Sequence, residues 1–307
     1  MFAVANGQVA ASLPSDPWVP VAPPGRAGAP IALDAVSLRV AAPGGDLEIL
    51  RGASLRVEAG EFVCLLGPSG SGKSTILNLI AGLARPTSGR VLEGESPVVG
   101  PGPDRAVVFQ EAALFPWLTL RANVEFPLEL QGLRGKARAH RSEQLLRMVH
   151  LWRFQDRYPH ELSGGMRQRG AIARALATDP AVLLMDEPFA SLDAQTREIL
   201  QGELERIWGV TGKTVVFVTH NVREAVRLAD RIVLMGTRPG RILHEETIDL
   251  PRPRAANDEG VAAVANGLAR RIASEVEKVA REEADDAWVA SGHRGSGVSR
   301  RAVGDRR

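Results

Sequence analysis

Cysteine occurs once in the 307 residues, at Cys64. An intramolecular disulfide is therefore impossible. The thiol lies inside the apolar run Phe62-Val63-Cys64-Leu65-Leu66, which predicts a buried, inert side chain and a reducing, cytoplasmic setting. No stretch approaches the eighteen or more apolar residues of a membrane helix, so the chain is not expected to cross a bilayer itself. The first residues lack a basic segment followed by a continuous apolar one, so no secretory signal is expected. Internal repeats are also missing. Lysine is scarce: Lys73, Lys136, Lys213 and Lys278 stand against thirty-four arginines. Residues 293–307 hold five arginines and one aspartate, a charge of +4, which leaves −2 for the rest of a chain whose formal charge is +2. A near-neutral body with a small basic tail argues against a nucleic-acid partner, which calls for a basic face on the folded part. What is plentiful is apolar residues, at 44%. That is enough for a sizeable core in one large or two modest domains.

One of the four lysines sits in Gly67-Pro68-Ser69-Gly70-Ser71-Gly72-Lys73-Ser74, and the chain is organised around this stretch. The buried-strand pattern of residues 62–66 precedes it. Thr75-Ile76-Leu77-Asn78-Leu79-Ile80-Ala81 follows as a helix, ended by Gly82 and Pro86. Strand, glycine-rich turn and helix form the context of a phosphate-binding loop. The glycines let successive backbone N–H groups turn inward towards β- and γ-phosphates, and the helix N-terminus adds its positive dipole end. Lys73 supplies a mobile charge, the Ser74 hydroxyl is placed to ligate Mg²⁺, and Thr75 continues into the helix. A flexible Gly/Ser linker would need neither the flanking elements nor the lysine. The stretch predicts nucleoside triphosphate binding.

Residues 1–30, rich in Pro, Ala and Gly, read as a disordered leader in which Trp18 is solvated or docks. Residues 31–40 alternate as an edge strand would, Gly44-Gly45-Asp46 forms a turn, and residues 47–57 return antiparallel. Further short strands are expected at 89–91, 106–109, 181–185, 214–219 and 232–235. Helices are expected over 163–177, 198–209 and 222–229. The apolar strand interiors predict an α/β fold: a P-loop core with a mostly parallel sheet covered on both faces, plus an antiparallel β subdomain. The helical block at about 116–177 falls between two strands and is expected to be an inserted α-helical subdomain. A domain of residues 31–255 is then followed by 256–307, an amphipathic helix over 261–281 and a disordered basic tail from Gly292.

Ligands of open parallel sheets bind at the carboxyl ends of the strands. Gln110, Asp186, Glu187 and His220 all fall at such ends. Asp186 suits a Mg²⁺-site carboxylate, Glu187 can reach the water that attacks a γ-phosphate, His220 can donate to that phosphate, and Gln110 can bridge metal and water. Taken singly each could be a solvated or capping residue; their common position beside one loop argues otherwise. In Leu162-Ser163-Gly164-Gly165-Met166-Arg167-Gln168-Arg169, Ser163 reads as a helix N-cap, and Gly164 and Gly165 expose backbone N–H groups. That is a second anion site, or else a plain capped turn.

Together these motifs resemble the nucleotide-binding subunit of an ABC transporter over about residues 31–250. Residues 67–74 are similar to the Walker A loop, 182–187 to Walker B, 162–168 to the signature motif and Ser191-Leu192-Asp193 to the D-loop. Gln110 and His220 match the Q-loop and switch-histidine positions. The resemblance implies ATP and Mg²⁺ as ligands and a head-to-tail homodimer, with Ser163, Gly164 and Gly165 of one copy closing over ATP on the other. It also implies separate transmembrane permease subunits, indirectly a solute-binding protein, and a peripheral place on the cytoplasmic face of the inner membrane. Residues 186–198, Phe115-Pro116-Trp117-Leu118-Thr119, 238–242 and 250–254 resemble the nitrate/sulfonate/taurine importer subfamily, which implies a small oxyanion as cargo. An importer for another solute, or a non-transport ABC ATPase, is the alternative. The latter is disfavoured without a second cassette or a long inserted coiled coil. Leu114, Phe115 and Trp117 form either a permease-docking groove or core. The arginines of 238–254 belong either to the subfamily pattern or to a solvated loop. Three positions depart from the family. Val40 stands where an aromatic residue usually stacks on adenine, Asn221 where aspartate is common, and Gly170 where a small apolar residue is usual. Gly170 would cost the signature helix about 1 kcal/mol relative to Ala.

Overall fold

A computed structural model describes residues 26–42, 45–255 and 258–290. Most of the expected leader with its Trp18, Gly44 of the expected turn, and the expected basic tail lie outside the described residues.

The strands β1 (Ile31–Ala42), β2 (Gly45–Val57), β4 (Ser88–Glu93) and β5 (Ser96–Pro97) form an antiparallel sheet in the order β2-β1-β4-β5. The second sheet runs β10-β9-β3-β8-β7-β6. It is built from β3 (Phe62–Leu66), β6 (Arg105–Val108), β7 (Val182–Asp186), β8 (Thr214–Thr219), β9 (Arg231–Gly236) and β10 (Arg241–Thr247). From β9 to β6 all neighbours are parallel, and only β10 is antiparallel. The apolar strand interiors explain this. All five residues of β3 and all six of β8 are buried, as strands covered on both faces must be. Alternate side chains enter two different cores. Phe62, Cys64, Leu183, Met185, Val215 and Phe217 face the one shared with the long helices. Val63, Leu65, Val182, Leu184, Val216 and Val218 face the other, shared with the antiparallel sheet and helix α1 (Lys73–Ala81). Cys64 is fully buried, and burial pushes its thiol pKa well up.

Between β6 and β7 the chain forms α2 (Leu120–Leu130), α3 (Gly135–Met148) and α4 (Gly164–Ala177). After β7 come α5 (Ala194–Thr211) and, past β8, α6 (Val222–Leu228). The last helix, α7 (Glu259–Ala290), seats Val261, Ala265 and Leu268 in the helical core. Among the described residues no helix is long and apolar enough to cross a membrane.

One expectation needs correction, and two further readings gain detail. β1 is not an edge strand, because it pairs with β2 on one side and β4 on the other. Half-buried alternation is the same for edge and interior strands of a one-sided antiparallel sheet. Nor do the arginines of 238–254 merely solvate a loop. Residues 241–247 are β10, and Arg254 is buried, donating to the carbonyls of Val226, Ala229, Ile248 and Leu250 around the end of α6. Arg252 lies 4.6 Å over the Trp208 ring and pairs with Glu205 and Asp230. A cation at a helix C-terminus is favoured by the dipole.

The third point concerns Gly170, which is more than a weak helical residue. A Cβ there would lie 2.7 Å from Leu120 Cδ1 and 3.3 Å from Leu114 Cδ1, so the glycine allows α4 to pack closely on α2. Gly170→Ala gains up to about 1 kcal/mol of helix propensity and loses about 2 kcal/mol to overpacking. A lower urea midpoint with an unchanged m-value is expected. A raised midpoint would show that the leucines can retreat at no cost.

Candidate functional site

Residues 67–72 connect β3 to α1 at the carboxyl end of the parallel strands. Two glycines are required by geometry. A Cβ on Gly67 would stand 2.5 Å from the Met235 carbonyl oxygen, and Gly72 holds φ +82° as it opens α1. The loop wraps around the Lys73 ammonium, which donates to the carbonyls of Gly67 (2.9 Å) and Pro68 (2.8 Å) and approaches Ser71 Oγ at 3.4 Å. Lys73 is only 5% exposed and, among the described residues, has no carboxylate in salt-bridge contact. Burial lowers its pKa, while the charges of Glu187 and Asp186 pull it back up.

Asp186 ends β7, and its Oδ1 accepts from Ser74 Oγ at 3.0 Å. Burial raises its pKa, the Ser74 hydrogen bond opposes this, and the Glu187 charge adds to the rise. A cation beside it would reverse that rise. A hydroxyl and a carboxylate side by side are hard oxygen donors, which suits Mg²⁺, an ion that takes one or two protein oxygens and completes its shell with phosphate and water. Among the described residues no group of three or more His, Cys, Asp or Glu side chains could hold a metal ion.

Glu187 adopts φ +44°, with its N–H bonded to Val218 O at 3.0 Å. A non-glycine residue held there carries strain of about 1–3 kcal/mol and marks a fixed position. Its Oε2 lies 2.9 Å from His220 Nδ1, just past the end of β8. Lys73, Ser74, Asp186, Glu187 and His220 thus gather at one end of β3, β7 and β8. Gln110 follows β6, whose Val108 pairs with Met185 immediately before Asp186. It is exposed two residues beyond β6 and makes no hydrogen bond among the described residues. Ser163, Gly164 and Gly165 are not brought to the loop. Ser163 caps α4 by accepting from Met166 N, and the glycines lie against Leu192 and Thr196. Asn221 fills the aspartate role by capping α6, accepting from Arg223 N (3.1 Å) and Glu224 N (3.2 Å). Val40 is 41% exposed and pairs across the hairpin with Leu47.

Sequence reasoning missed several supporting groups. Buried Asn123 bonds the carbonyls of Phe115, Leu118 and Thr119 and the N–H of Phe115, fixing the segment after Gln110. Buried Gln168 reaches from α4 to Phe109 O at 3.2 Å. Arg197 on α5 holds the carbonyls of Phe189 and Leu192. The only signal for each is an isolated polar residue on an otherwise inward-facing helical position.

A phosphate loop on a parallel sheet, with a carboxylate pair and a histidine at neighbouring strand ends, defines a P-loop nucleoside triphosphatase. The family described as ABC transporter matches residues 50–190. An uncharacterized ABC transporter ATP-binding protein of Methanocaldococcus jannaschii is 54% identical over 211 residues, 69% of this chain and 79% of that one. The nitrate import ATP-binding protein of Synechocystis sp. is 51% identical over 67% and 78%, and the taurine import ATP-binding protein of Burkholderia pseudomallei 48% over 75% and 88%. Among solved structures, a dimeric ATP-binding cassette in a post-hydrolysis state with ADP and Pi superposes with a TM-score of 0.65 at 36% identity, covering 72% of this chain and all of that one. The chain belongs to the ABC transporter family of ATP-binding proteins, and it is an ATPase.

Proposed function

We propose that this chain is the ATP-hydrolysing subunit of an importer for small oxyanions of the nitrate, sulfonate or taurine kind. The observation that carries the reading is the gathering of Lys73, Ser74, Asp186, Glu187 and His220 at one end of the sheet, with Ser163–Gly165 held away from them. The loop and Lys73 bind the triphosphate. Ser74 and Asp186 would hold Mg²⁺, whose chemistry is to neutralise charge on the phosphate oxygens. Glu187 orients and deprotonates the attacking water. His220 fixes the Glu187 carboxylate and meets the γ-phosphate. Gln110, just past the strand beside β7, would bridge the metal and the water. Ser163, Gly164 and Gly165 complete the site of a second copy, so the working unit is a homodimer. We take 31–255 as the ATPase body, with 116–177 as its helical subdomain.

Permease docking fits the segment after Gln110. Leu114 is core, but Trp117 is 71% exposed and Phe126 42%, and the Phe115 ring lies 5.5 Å and 5.2 Å from their rings. An exposed aromatic group of this kind marks an interaction site. The oxyanion reading is supported by the names of the nitrate and taurine relatives. Two measurements test the proposal. The protein should leave the membrane fraction when the permease is deleted, and sedimentation with ribosomes or DNA would refute import. The bound ligand of the co-purified solute-binding protein should be a small oxyanion; a sugar or an amine would refute that cargo class alone.

The adenine end is thinly furnished, with Val40 and Leu47 exposed side by side. Stacking on an aromatic ring contributes about 1 kcal/mol beyond area. Val40→Tyr should therefore tighten ATP binding about fivefold in a calorimetric titration while leaving inorganic triphosphate unaffected. No change would place adenine elsewhere.

A further inference from the structure

Glu224 is the one acidic side chain that is buried among the described residues, at 5% exposure. A buried carboxylate is costly unless its oxygens are satisfied, and both are. Oε1 accepts from Gln201 Nε2 at 2.9 Å, and Oε2 accepts from Thr219 Oγ1. Thr219 Oγ1 in turn accepts from Asn221 N at 3.0 Å, and Asn221 Oδ1 accepts from Glu224 N. The ring therefore closes on both sides of His220. Among the described residues the only hydrogen bond of the His220 side chain is the one to Glu187, so the aim of the imidazole is set by the backbone of 219–221. That backbone is folded around the Glu224 carboxylate. The anchor is α5. Gln201 is buried, its Oε1 held by Arg227 Nη1 at 3.0 Å. One turn earlier on the same helix, Arg197 holds Phe189 O and Leu192 O in the loop that follows Glu187. Glu187, Phe189, Arg197, Thr219, His220 and Glu224 all line one small open pocket.

We propose that Glu224, anchored to α5 through Gln201, is a positioning residue that sets how His220 meets Glu187 and the γ-phosphate. The assignment rests on the reading of Glu187 and His220 as the hydrolytic pair. Glutamine at 224 keeps the volume but replaces one acceptor by an NH₂ group. That group can face Thr219 Oγ1, whose hydroxyl accepts two hydrogen bonds and so can receive both it and Asn221 N. The Thr219 link is then reversed, and the charge that strengthened both links is gone.

The test is a double-mutant cycle on the full chain, read by steady-state and single-turnover ATP hydrolysis. Glu224→Gln should lower kcat about tenfold with KM for ATP unchanged, and should cause no further loss in a His220→Ala background. Gln201→Leu, which leaves the carboxylate in place, should repeat the pattern at about threefold and serves if the Glu224 variant folds poorly. Equal losses in both backgrounds, a rise in KM alone, or wild-type kcat in both variants would overturn the positioning role while leaving the hydrolytic pair intact. Unchanged hydrolysis in His220→Ala alone would overturn the pair, and the positioning role with it.

Discussion

Glu187→Gln is expected to lower ATP turnover on the order of a thousandfold while ATP still binds. The carboxylate has no hydrogen bond to Lys73, Ser74 or the glycine loop; its partner is His220 at 2.9 Å. The phosphate-holding groups are therefore intact in the variant, and removing a negative charge near them favours the anionic nucleotide. Glutamine keeps the shape and can still bond His220, but it cannot take a proton from water. The backbone at φ +44° and the N–H bond to Val218 O fix the side chain whichever residue is present. If two copies must close around ATP before hydrolysis reopens them, a chain that binds but does not cleave accumulates as a dimer. Size-exclusion chromatography should show a dimer with ATP and a monomer with ADP. A variant that stays monomeric with ATP and hydrolyses at the normal rate would remove Glu187 from the chemistry.

The parts of this architecture that sequence made legible are those where one physical demand acts alone. β3, β7 and β8 had to be apolar in their interiors because both faces are covered, and the polar residues at or just past the ends of β7 and β8 stand out against that background: Asp186, Glu187 and His220. Their meeting follows from the parallel order β3-β8-β7, which places three strand ends in adjacent positions. Less legible were features resting on pairings remote in sequence. β10 carries an alternating polar pattern with half-buried side chains, indistinguishable from a loop until β9 is beside it. Arg254 looks like a solvated residue because its acceptors are backbone carbonyls, which any sequence supplies. Glycine at 170 reads as a helix weakness because the Leu120 side chain that occupies the space of its missing Cβ is fifty residues away.

The second large effect is expected at Lys73, and it falls on binding. The residue is 5% exposed and its ammonium is satisfied by two carbonyls and a hydroxyl, dipoles that hold a cation without neutralising it. Asp186 and Glu187 act on it only through space. A buried cation without a contact anion is favourable mainly for what it will meet, and a triphosphate supplies the missing charge. Lys73→Ala removes a charge-assisted contact worth about 3 kcal/mol, which raises Kd for ATP about a hundredfold. Burial shields the contact, so the loss should persist at high salt, unlike that of a surface lysine. Arginine is no substitute. Gly67 already stands too close to Met235 O to admit even a Cβ, and the rigid planar guanidinium is a poor replacement for a compact ammonium donating to two converging carbonyls. Lys73→Arg should therefore resemble Lys73→Ala more than the wild type. Filter binding of labelled ATP separates the cases. Lys73→Ala should lose affinity and Glu187→Gln should keep it, so unchanged affinity in Lys73→Ala would mean that the loop backbone, not the lysine, holds the phosphates.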